Sequence, residues 1–345
     1  MNYHLIILIF LYTKKKPIIK NDFLIYLFLM SENKKIQLGL CCLNLELRKN
    51  KPTIFTSRRV TLKTLESKGI NNLKNKIIQN LNDVLTMMDW NEKNDIKVFR
   101  LSSEIFPHYS NSKAEDYTLD FAKDLLLQIG NKSRELNQRL TFHPGPYNCL
   151  ASLDQNVIEN TIRDLQYHAD ILDLMELDQN SVMVIHGGGI YNNKTKTIQR
   201  WIENYNKLPN NIKKRLVLEN CEKNFSIEDC LYISSITNIP IVFDTHHFNC
   251  YNILHKNEII ENAEYYIPFI LETWKKRNIK VKFHVSEQGL GKCGHHSDYI
   301  IEIPKYLLDI PNKYETEIDI MIEAKMKEKA ILKLYEIYPE LNCRI

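Results

Sequence analysis

Ser181-Val182-Met183-Val184-Ile185-His186-Gly187-Gly188-Gly189 is the stretch on which the fold turns. An apolar run this short suits a parallel strand covered on both faces. It ends on an imidazole, and three glycines follow that let backbone or a phosphate come close. Outward from it the same figure recurs. Strands are expected at 36–42, 96–101, 139–143, 181–185, 215–219, 239–244, 280–286 and 317–323. Between them helical periodicity appears near 72–88, 117–136, 154–177, 197–208, 226–235, 258–277, 299–308 and 324–337. The clearest, 154–177, steps Ile158, Ile162, Leu165, Ala169, Leu172 and Met175 along one face, with Ser152 and Gln155 as a capping box at its start. Eight strands alternating with helices predict an α/β fold, a TIM (β/α)8 barrel in a single domain, with an open doubly wound sheet as the competitor.

Composition fits without deciding the partner. Hydrophobic residues make up 44% and charged residues 26% of 345, enough apolar mass for one large core. A net charge of +4 permits nucleic-acid binding but is far below that of a dedicated basic module. The eight cysteines form no C-x-x-C pair, so reduced thiols in an intracellular, non-secreted protein are expected. Residues 1–30 stand apart from the domain expected over 31–345. Their two apolar runs, 5–12 and 23–30, are split by Lys14-Lys15-Lys16-Pro17, and each is well short of the roughly 20 residues that span a bilayer. No small-residue cleavage site marks a signal peptide. Translation from Met30 rather than Met1 is the preferred reading, and a short membrane-associating tail is the other.

In a barrel, catalytic groups sit at the carboxyl ends of the strands. Read in order, those ends give His143, His186, Glu219, Asp244, His284 and Glu323. Six consecutive strands thus end in a metal-ligand type, although the chain holds only 11 histidines and 42 acidic residues. A carboxylate such as Glu219 after an apolar strand would cost several kcal/mol if buried unpaired, and a cation beside it removes that penalty. His246-His247 and His295-His296 add imidazoles in what read as loops, with one member of each pair free to face solvent. Lys282 and His284 share one face of a strand. Any one of these residues has an ordinary structural explanation; together they point to a metal site. Imidazoles mixed with carboxylates and no thiolate suit Mn2+, Zn2+ or Fe2+ better than Mg2+. At least eight candidates exceed what one ion needs, so two or three ions are implied, an arrangement suited to phosphoester cleavage.

From 37 to 332 the residues resemble the ultraviolet-damage endonucleases, relatives of the endonuclease IV barrels. The motifs are Leu38-Gly39 with Cys42 and Asn44, Arg100-Leu101-Ser102-Ser103 with Phe106-Pro107, and Phe142-His143-Pro144-Gly145. Ile185-His186-Gly187-Gly188-Gly189, Leu218-Glu219-Asn220, Phe243-Asp244 with His246-His247, and Lys282-Phe283-His284-Val285-Ser286 follow. His296-Ser297-Asp298 and Ile320-Met321-Ile322-Glu323-Ala324-Lys325-Met326-Lys327-Glu328 complete the series. The resemblance implies that His143, His186, Glu219, Asp244, His247, His284, His296 and Glu323 hold a cluster of Mn2+, with Zn2+ as the alternative and Glu219 bridging two ions. It further implies a catalytic group of Glu219, Lys282, His247 and His296. The substrate would be damaged double-stranded DNA, nicked 5′ to cyclobutane dimers or 6-4 photoproducts. The sequence itself gives no reason to expect an oligomer or a protein partner, so a monomer is expected.

Departures fall on lesion recognition. Where the family carries a polar–aromatic pair after His143-Pro144-Gly145, this chain reads Pro146-Tyr147. The aromatic that stacks in the gap left by flipped bases remains, and its polar neighbour is gone. Leu40 replaces a family tyrosine, and Asn111 stands where a histidine is common, with His108 nearby. Pro146, Tyr147 and Asn44 are the expected DNA and lesion contacts. An abasic-site endonuclease of the endonuclease IV type and a metal-dependent sugar isomerase are the alternatives. A binding protein that keeps its ligands and lacks activity ranks behind both.

Overall fold

The computed structural model describes residues 35–342 apart from 112 and 115. The 1–30 leader lies outside the described residues. Eight strands, β1 (Ile36–Cys41), β2 (Val98–Arg100), β3 (Arg139–Thr141), β4 (Met183–His186), β5 (Leu216–Glu219), β6 (Ile241–Asp244), β7 (Val281–Val285) and β8 (Ile318–Ile322), pair in the order β3-β2-β1-β8-β7-β6-β5-β4. Every pairing is parallel. A parallel bridge from Phe142 to Met183 joins β3 to β4 and rounds the sheet into a nearly closed barrel. The open-sheet alternative is thereby excluded. Each strand lies inside its expected range or within a residue of it, because strands buried on both faces show as unbroken apolar runs.

Eleven α-helices surround the barrel among the described residues: α1 (Leu62–Lys93), α2 (Lys123–Glu135), α3 (Gln155–Leu174), α4 (Lys194–Asn206), α5 (Asn210–Lys213), α6 (Ile227–Thr237), α7 (Thr245–Leu254), α8 (Ala263–Lys275), α9 (Lys305–Leu308), α10 (Ile310–Tyr314) and α11 (Glu328–Ile337). Three expectations need correction. The capping box expected from Ser152 and Gln155 does not form. Asp154 caps α3 by accepting from the Asn156 amide at 2.8 Å, while the Ser152 hydroxyl accepts one turn earlier, from the Asp154 amide at 3.1 Å. A reciprocal box does occur at α6, between Ser226 and Asp229. The α1 segment starts ten residues before the expected 72, bending at Gly69, whose φ of 73° is one that glycine adopts freely. His246 and His247 lie on α7 rather than in a loop, and both are buried.

Strand side chains alternate faces, which layers the barrel interior. Asp319, at the amino end of β8, accepts from Arg139 at 2.7 Å and pairs with Lys280 at 2.9 Å, closing the base with charge. Above it a small apolar set, Cys41, Val98 and Met321, forms a core separate from the large one between strands and helices. Higher still come Arg100, His284 and Glu323. The seven described cysteines are free thiols; Cys343 lies outside the described residues. Among the described residues no helix is long and apolar enough to cross a membrane.

Candidate metal centre

Glu219, the last residue of β5, is 1% exposed and stands at the centre of the barrel mouth. The His284 Nδ1 is 2.7 Å from its Oε1, and the His247 Nδ1 is 3.8 Å from the same oxygen. His143 Nε2 reaches its Oε2 at 3.0 Å and His186 Nε2 at 3.5 Å. Four imidazoles, one just beyond β3 and the others on β4, β7 and α7, therefore converge on one carboxylate. Strand geometry explains the convergence, since each imidazole stands at or near the carboxyl end of its strand and points inward. Glu323, just beyond β8, extends the set: His284 Nδ1 lies 3.3 Å from its Oε1 and His296 Nδ1 3.9 Å from its Oε2.

Asp244 ends β6 and caps α7. Its Oδ1 accepts from the amides of His246 and His247, both at 2.8 Å. That cap sets His247 in the first turn of α7, where its ring turns to Glu219. His246 turns the other way, with its ring 3.6 Å from the Cys250 sulfur. The expectation that one of these two faces solvent is therefore overturned. Of the pair in the β7–α9 loop, His295 is exposed and His296 half-buried.

The donors form three groups whose ligand atoms lie within 4.8 Å of one another: His143, Glu219 and His284; His186, Glu219 and His247; Asp244, His284 and Glu323. Glu219 belongs to two of them and so does His284. Electrostatics show how the members act on one another. Burial alone would raise the Glu219 carboxyl, yet the surrounding imidazoles, led by His284 and His186, hold it well below the usual range. Burial pushes His186 down to about 4, and it lowers His284 despite the Glu219 charge beside it. His247 goes the other way: Asp244 and Glu219 overcome its burial and lift it to about 9. Burial opposes ionisation of Glu323 as well, but Arg100 overrides it. Burial raises Asp244, helped by the like charge of Glu219. Three clustered acids thus face His186 and His284, which burial drives toward their neutral, electron-donating form, and His247, which they hold in its charged one. Divalent cations complete such a set, and the oxygen and nitrogen donors fit them.

Lys282 lies fully buried beneath the cluster, its Nζ 2.7 Å from His284 Nε2. Burial brings its amine down to about 8, with the Arg100 charge acting in the same sense. The contact occupies the far nitrogen of His284 and aims Nδ1 into the cluster, the task of an outer partner at a metal site. Arg100 does the same for Glu323 by an ion pair through its Nη1. Sequence reading placed Arg100 in a motif without giving it a role; the available signal was a guanidinium set in the buried run Val98-Phe99-Arg100.

The expected DNA contacts separate. Tyr147 and Pro146 are both exposed in the turn after β3, Tyr147 at 57%. The Tyr147 hydroxyl donates to Asp164 Oδ1 at 3.2 Å, and Asp164 also accepts from Ser110 at 2.7 Å and Asn148 at 2.8 Å. Asp164, buried on α3, escaped the sequence reading because it sits within a helical face. Asn44 does not reach the surface: it is 3% exposed, and its Oδ1 accepts from the Leu47 amide at 2.8 Å. Its place here is a turn cap, and the expectation of a surface contact is corrected to that extent. Leu40 is packed in β1, and Asn111 bonds His108 at 3.1 Å.

A family profile described as UV-endonuclease UvdE matches residues 36–343. A protein of Acanthamoeba polyphaga mimivirus, which bears the name UV-damage endonuclease provisionally, is 40% identical over 316 residues, covering 90% of this chain and 93% of its own length. The UV-damage endonuclease of Schizosaccharomyces pombe is 36% identical over 317 residues; the match covers 89% of this chain and 51% of that protein, so the chain spans about half of the fungal relative. The crystal structure of SacUVDE superposes with a TM-score of 0.75 at 32% identity, covering 89% of this chain and 99% of that one. Endonuclease IV from Thermus thermophilus, at a TM-score of 0.53, 12% identity and coverage of 88% and 98%, shares the fold.

Proposed function

The chain belongs to the UV-endonuclease UvdE family, and on that premise we propose that it nicks double-stranded DNA on the 5′ side of ultraviolet photoproducts. The observation that carries this reading is the convergence of four imidazoles on the Glu219 carboxylate at the mouth of the barrel. His143, His186, Glu219, Asp244, His247, His284, His296 and Glu323 would hold the metal, and the two shared members of the three donor groups support more than one ion. Mn2+ is the preferred ion, and Zn2+ suits the same donors. Bound there, divalent cations lower the pKa of an attacking water and offset the charge on the phosphate and the leaving oxygen.

The chain's own residues do the rest. Glu219, the carboxylate shared by two donor groups, would bridge two ions and hold the imidazoles of both groups around it. Lys282 keeps His284 turned with Nδ1 forward. His247 and His296 would join Glu219 and Lys282 in the catalytic group, with His247 carrying a proton at neutral pH in the metal-free site. Tyr147 offers a ring to the space left by a distorted base pair. The test is direct. The purified chain with Mn2+ is incubated with a duplex carrying one defined photoproduct, beside a matched abasic-site duplex, and the cut is mapped. A nick immediately 5′ to the photoproduct is expected; cutting confined to the abasic duplex would transfer the assignment to the endonuclease IV class.

A further inference from the structure

The loop from β7 to α9 carries a second exposed apolar side chain. Leu290 is 96% exposed at its tip, outside the packed core. Single surface leucines are common, but this backbone is fastened. Gln288 and His296 pair as an antiparallel bridge, the Gly289 amide donates to the His295 carbonyl at 2.6 Å, and the Ser297 amide donates to the Glu287 carbonyl at 2.8 Å. The Gln288 side chain spans the turn, donating to the Lys292 carbonyl at 3.0 Å and accepting from the Gly294 amide at 3.1 Å. Gly289 leaves no room for a Cβ, which would lie 2.2 Å from the His296 carbonyl oxygen, and Gly291 has a φ of 113°. The loop therefore sets Leu290 at a fixed place relative to His296, which faces Glu323 across the cluster.

Its place in the ring gives the direction. In the strand order, β7 stands four strands from β3 whichever way the barrel is followed. Leu290 and Tyr147 thus rise from opposite sides of one mouth, with the donor cluster between them. Both are large apolar groups left exposed on β-to-α loops, on the face where barrel enzymes take substrate.

Resting on the endonuclease reading above, we propose that Leu290 is an apolar wedge that enters the base stack of the bound duplex opposite Tyr147. Apolar side chains inserted at a base step unstack it and kink the helix, and a kink is what brings a phosphodiester down into a recessed site. Two probes also account for the tolerance of Pro146, since opening the duplex then does not depend on a polar neighbour of Tyr147.

The experiment compares parent, Leu290→Ala and Leu290→Met, each loaded with Mn2+, on two substrates. One is a fully paired duplex with a single photoproduct; the other carries the same lesion inside a short mismatch bubble, already unstacked. For Leu290→Ala we expect roughly a tenfold or greater loss on the paired duplex and less than about twofold on the bubble. Leu290→Met should stay near the parent on both, and bound metal should be unchanged in all three. Equal rates for parent and Leu290→Ala on the paired duplex overturn the wedge. Equal losses on both substrates overturn it too, since they would trace to a displaced His296. A parent that leaves both lesion substrates intact overturns the endonuclease reading itself, and the wedge with it.

Discussion

The two ends of this barrel bury charge in different company. At the base, Asp319 is 1% exposed and has two cations against it, Arg139 and Lys280, so the charge is balanced by the chain itself. At the mouth, Glu219, Asp244 and Glu323 share their space with Arg100, with His247 in its charged form and with His186 and His284, which burial drives neutral, so carboxylate and imidazole donors crowd together. A cavity of about 730 Å³ lies at the base, lined by that compensated network. Space alone therefore does not mark the working end. What marks it is the crowding of imidazole and carboxylate donors within 4.8 Å of one another in three overlapping groups.

The sharpest way to break that contrast is Glu219→Gln, which removes the carboxylate shared by two donor groups. Nicking should fall by well over the roughly 10–100-fold that loss of an outer partner costs, metal per chain should drop, and the circular dichroism spectrum should persist. Full metal content with normal rates would remove Glu219 from the centre of the site. Asp319→Ala tests the other end. It leaves Arg139 and Lys280 facing each other, so urea melts should show a loss of about 3–5 kcal/mol, while nicking per folded molecule stays level. A drop in activity at unchanged stability would mean that the base is not merely structural.

Lys282→Met sharpens the boundary between the two ends. Without the contact to His284 Nε2, metal affinity should weaken roughly 10–100-fold, read by titration with Mn2+, and excess metal should restore much of the rate. Tyr147→Ala is expected to do least to the centre. Discrimination between lesion and intact duplex should narrow by about tenfold, in line with about 1–3 kcal/mol per stacked base. Metal binding should not change, and unchanged lesion preference would strip Tyr147 of its probing role.

The frame of this molecule was legible because parallel strands are written as apolar runs and barrel sites fall where those runs end. His143, His186, Glu219, Asp244, His284 and Glu323 all stand at or within two residues of a strand terminus. Features written in tertiary contacts were not legible. The α7 helix has His246-His247-Phe248-Asn249-Cys250-Tyr251 in its first two turns, residues of middling helix propensity with no polar stripe. Its existence depends on the Asp244 cap and on packing. Asn44 reads as a polar loop residue until the chain folds over it, and Asp164 reads as a helical surface acid until Ser110, Tyr147 and Asn148 arrive from elsewhere.

Asp244 serves two tasks at once: its Oδ1 fastens the start of α7, and its carboxylate belongs to a donor group with His284 and Glu323. A cation held by that group would compete with the cap for the same carboxylate, and the expected result is a change in how often the first turn of α7 frays. Amide exchange at His246 and His247 would serve as an internal gauge of occupancy, readable without any DNA present.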